Sequence, residues 1–174
     1  MSLNSDLGSF ERHDWNGMID PAMPWKTGEF YVPLMDQRII RGSQIAVANE
    51  VYVLRYWRMP PGLNSDLEPI DPRLEFRHVA SSQEIDLLGW PYPAKLWRFA
   101  TDVEVDQALR MFLQSFLAYG VKKHEEEGVR LPSTAELEDH LDKNGLTWRP
   151  EVVDRLLGDR KTLFGTSRAF NRNV

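Results

Sequence analysis

The sequence predicts an α+β fold: a small, mostly antiparallel sheet from residues 29–100, packed by C-terminal helices within residues 101–158. Three observations carry this prediction. Residues 29–59 are rich in β-branched and aromatic side chains, with a two-residue apolar period over 44–59. After Ala100 the period changes to that of an amphipathic helix. Prolines and glycines interrupt the chain over 1–28 and again over 60–73. The domain reading is a single globular domain, 29–158, between an irregular N-terminal arm, 1–28, and a basic C-terminal tail, 159–174.

The arm contains Gly8, Gly17, Gly28, Pro21 and Pro24 and follows neither apolar period, so regular structure is not expected there. Its Phe10, Trp15, Met18, Ile19, Met23 and Trp25 are too apolar for a solvated tail. An extended segment lying on its own core or on a neighbouring subunit accounts for both properties.

Strands are expected in 29–35, 38–40 and 44–59. In the last of these Ile45, Val47, Val51, Val53, Trp57 and Met59 occupy odd positions, with Asn49 and Arg55 as exceptions. A helix capped by Ser43 and ended by Pro60-Pro61-Gly62 competes with the strand, since nothing in 43–59 breaks it; the strand is the favoured reading. Residues 60–73, with four prolines and one glycine, read as a loop. Leu74–Val79 and Lys95–Ala100 read as short strands separated by a helical turn that Ser81 and Glu84 would cap.

Thr101 with Glu104 forms the capping-box signature, and the apolar stripe from Val105 through Leu109, Leu113 and Leu117 to Tyr119 predicts a helix ending at Gly120. Ser133 with Glu136 opens a second helix, to about Asp142. Pro150, suited to a first helical turn, opens a third that runs to Gly158.

With 174 residues, 42% apolar, the chain is long enough to build a core without staples. The absence of cysteine excludes disulfides, thiolate metal sites and thiol nucleophiles, and makes a cytoplasmic or intracellular setting the expectation. No stretch resembles a signal peptide or a membrane span, so no membrane partner is expected. The net charge of −5, from 21 basic and 26 acidic residues, denies the whole molecule the basic field of an autonomous nucleic-acid binder.

Chemistry-bearing motifs are sparse. His13, His78, His124 and His140 are not clustered, and the Glu136/His140 pair and the acidic run after His124 read as solvated helix faces, so neither a metal nor another cofactor is expected. Neither a nucleophile elbow nor a glycine-rich phosphate loop occurs. Carboxylate pairs such as Asp66 with Glu68 or Asp102 with Asp106 match turn and cap positions equally well, so no catalytic residue is assigned. No motif is specific enough to assign a family.

The leading expectation is therefore a non-enzymatic structural or interaction subunit of a multi-protein assembly, of the kind that builds phage virions, in which Trp15, Trp25, Phe164 and Phe170 are the partner-binding anchors. Such a chain would be oligomeric or part of a hetero-assembly. The alternative is a DNA-associated adaptor, since the helical pair of 131–157 superficially resembles a helix-turn-helix and the tail supplies Arg160, Lys161, Arg168 and Arg172. Against it, Asp142-Lys143-Asn144 lengthens the turn, and the acids of the first helix repel phosphate. An enzyme of unrecognised class is the third reading.

Overall fold

The computed structural model describes residues 25–38, 45–58, 73–88 and 96–164. The fold is α+β, with all described strands before residue 100 and all described helices after it. Two compact units divide it, one holding the described residues up to His78 together with Gln83–Ala100, the other Val79–Ser82 together with the residues from Thr101 onward.

The first unit is a sheet. Its strands are β1 (Phe30–Pro33), β2 (Gln37–Arg38), β3 (Ile45–Ala46), β4 (Tyr52–Arg58), β5 (Arg73–His78), β6 (Glu84–Leu88) and β7 (Trp97–Phe99). Five of them pair in the order β6-β5-β4-β1-β7, every neighbour antiparallel, while β2 and β3 form a separate antiparallel pair. One sheet face gathers Tyr31, Tyr52, Leu54, Phe76 and Ile85 through the registers Tyr31↔Tyr52, Leu54↔Phe76 and Phe76↔Ile85. Trp25 and Trp97 complete this cluster, and the Phe76 and Trp97 rings stack at 4.4 Å between centroids. The polar ends of the large side chains are satisfied: Tyr31 Oη accepts from Lys26 N–H, Tyr52 Oη from Val47 N–H, and Trp97 Nε1 donates to the buried Gln37.

The 44–59 region is strand, as favoured over helix, but in two pieces. Both exceptions to its alternation mark a break. Asn49 sits at φ 65° in the turn between β3 and β4, and the β4–β5 register shifts between Leu54 and Tyr56, around Arg55. Val51 to Leu54 are all buried, so the odd positions do not form the only covered face. The helical turn expected after Ser81 is not there. Residues 79–81 form the turn of a hairpin, closed by His78 N–H donating to Gln83 C=O, and Glu84 opens β6 instead of a helix. Serine and glutamate three apart cap a helix only if the next residues pack at helical period, and Ile85 pairs with Phe76 as a strand.

The second unit is helical: α1 (Asp102–Glu127), α2 (Thr134–Lys143), α3 (Pro150–Gly158) and α4 (Arg160–Phe164). Two of the three capping boxes predicted from sequence form, at Thr101/Glu104 and Ser133/Glu136. Helix α1 runs past Gly120 and ends at Gly128, whose φ of 70° places it in the left-handed region favoured at C-caps. Gly120 has a packing role. A Cβ there would lie 2.8 Å from Pro132 Cδ, so the glycine lets the loop before α2 cross close to α1. Buried Leu109, Leu113 and Leu117 of α1, Leu137 and Leu141 of α2, and Val153, Leu156 and Leu157 of α3 belong to this unit's interior. The His140 ring of α2 stacks on Phe112 at 5.2 Å and on Phe116 at 4.5 Å.

Candidate functional site

The strongest candidate is a cleft of about 550 Å³ in the helical unit, between the second half of α1 and α4. Its apolar lining is Met111, Leu117, Ala118, Val121, Leu163 and Phe164, and its charges are Arg110, Lys122 and Glu125. Helical spacing explains the lining on the α1 side. Residues 111, 114, 118, 121 and 125 recur every three or four positions and share one stripe, separate from the buried stripe of Leu109 and Leu113. Along the cleft stripe, Met111 is 51% exposed, and Gln114, Ala118 and Glu125 are exposed too. The other wall is set by Asp159, which accepts from Thr162 N–H and Thr162 Oγ1 and so caps the short α4. Those bonds, with the nearby Arg110 charge, hold the Asp159 carboxyl below the usual carboxylate range.

Arg110 is anchored by Asp106, one turn before it, at 2.6 Å from Nε and 3.4 Å from Nη2. Its Nη1 is shielded and has no hydrogen-bond partner. Lys122 and Glu125 are exposed at the far end of the cleft. The arrangement combines a concave shape, apolar area and charges of both signs.

The sequence-predicted anchors are distributed as follows. Trp25 is 7% exposed and lies in the sheet unit's own core, against Tyr31, Phe76 and Trp97. Phe164, 6% exposed, lines the cleft, with the Arg160 guanidinium 4.9 Å from its ring centroid. Arg160 also donates to Pro132 C=O at 2.9 Å, and Lys161 is exposed. Trp15, Phe170, Arg168 and Arg172 lie outside the described residues, as does His13. The other histidines are dispersed: His78 contacts Glu50 at 3.0 Å, His124 Nδ1 lies 2.8 Å from Val129 C=O, and His140 is the stacked ring of α2. Among the described residues no three histidine or carboxylate side chains converge as a metal site. No described helix is long and apolar enough to cross a membrane.

The 131–157 helical pair forms with the predicted starts, joined by residues 144–149. Leu146 of that connection is buried, and the exposed side chains of α3 include Glu151, Asp154 and Arg155. Sequence reasoning missed the role of Met111, Ala118 and Val121. The signal was present as a second apolar stripe on the 101–127 helix, but the leucines and phenylalanines of the buried stripe dominate the same window. Comparison with protein-family models, with curated proteins and with solved structures finds no match to this chain.

Proposed function

We propose that this chain is an interaction subunit of a larger protein assembly, and that a protein partner seats in the α1–α4 cleft. The observation that carries the reading is the open apolar cleft, whose α1 wall leaves Met111 and Ala118 exposed. Methionine, aromatic and arginine side chains are the types enriched at the centres of interfaces, and Met111, Phe164 and Arg110 supply one of each. The segments that carry Trp15 and Phe170 are further anchors in this proposal, and a virion-type particle is one assembly that uses such subunits.

The alternative, a DNA-associated adaptor, draws less support. Glu151 and Asp154 outnumber Arg155 among the exposed ionisable side chains of α3, and phosphate is repelled by such a face.

The test is the native mass of the tagged full chain in an extract of its source cells, beside the Ala118→Arg variant. Ala118 is exposed, so the substitution leaves the fold intact and blocks the cleft. The wild type is expected in a complex heavier than the 20.2 kDa chain, and the variant in a lighter one. A wild type running at the mass of the single chain overturns the reading.

A further inference from the structure

We draw no further inference here: the strongest candidate, the pocket of about 450 Å³ lined by Tyr119, Gly120 and Val129 between α1 and the loop before α2, has its cations already paired with its carboxylates, Lys123 with Glu127 and Arg130 with Glu136, and nothing in the structure shows what covers it.

Discussion

The ring of Trp25 lies 4.9 Å from Tyr31, 5.8 Å from Phe76 and 6.3 Å from Trp97, measured between centroids, and is 7% exposed, so its removal leaves a cavity in a close-packed cluster. Trp25→Ala should therefore cost about 3–5 kcal/mol of the sheet unit's stability, the range for deleting a buried aromatic, and urea unfolding followed by fluorescence reads it. A loss below about 1 kcal/mol would place the ring outside that core. The residue illustrates what a sequence withholds. Composition shows that Trp25 must be covered, because it is large and apolar in a segment without its own periodicity, but only long-range pairing decides which surface covers it. A second single-residue prediction concerns Gly120. In an ordinary helix interior, Gly→Ala stabilises by about 1 kcal/mol. Here the added methyl would meet Pro132 Cδ at 2.8 Å and Cγ at 2.9 Å, on a ring fixed to its backbone, so the sign reverses. Gly120→Ala should destabilise by about 1–3 kcal/mol in thermal or denaturant melts, as overpacking does. A more stable variant would mean that the loop before α2 moves away freely.

Helix α2 begins with two layers of hydrogen bonding on one carboxylate. Glu136 accepts from Arg130 at 2.6 and 2.9 Å and from Ser133 N–H at 2.8 Å, so its pKa falls from 4.5 to about 2, with the arginine hydrogen bonds the largest cause. Since the folded value is the lower one, the contribution of this cap is complete above pH 4.5 and is lost as pH falls from 4.5 toward 2. Carboxyl-carbon NMR of Glu136 should titrate with a midpoint near 2, and in Arg130→Ala the midpoint should rise. A wild-type midpoint near 4.5 would show that the bidentate pair does not persist in solution. This element was legible because its signals are local: Ser133 and Glu136 sit three apart, and the geometry of a capping box needs nothing from elsewhere in the chain. Thr101/Glu104 and Pro150 were legible for the same reason. Ser81/Glu84 used the same letters and failed, because the residues after them answer to a cross-strand partner, Phe76 with Ile85, that no local window contains. The end of α1 was misplaced at Gly120 by the same limitation: the close approach of Pro132, twelve positions on, is what asks for a glycine there. The cleft was partly legible. Phe164 stood out as an apolar residue near a basic tail, whereas Met111 and Ala118 became distinguishable only once burial separated the two stripes of α1.

At the scale of the whole molecule, electrostatics separates the two functional readings more sharply than any motif does. The chain carries −5 at neutral pH, and Glu125, Glu126, Glu138, Asp142, Glu151 and Asp154 place part of its negative charge on the exposed helical surface. Arg130, Lys143 and Lys123 each face a carboxylate of their own, at Glu136, Asp139 and Glu127, so their charge is already locally compensated. Binding to a polyanion draws its free energy from releasing condensed counterions, which requires several uncompensated cations on one face. Among the described residues of the helical unit, Lys122, Arg155, Arg160 and Lys161 stand outside any ion pair, but they are spread over α1, α3 and α4, and Arg160 is held by Pro132 C=O and stacked on Phe164. The full chain should therefore fail to retard duplex or single-stranded DNA in a gel at about 50 mM salt, the condition that most favours phosphate contacts. Retardation that weakens steeply with added salt would reverse the ranking, and would assign the binding to cations outside the described residues, Arg168 and Arg172 first among them. Such a result would leave the α1 cleft untouched as a protein-docking surface, because its floor is apolar and its charges are of both signs.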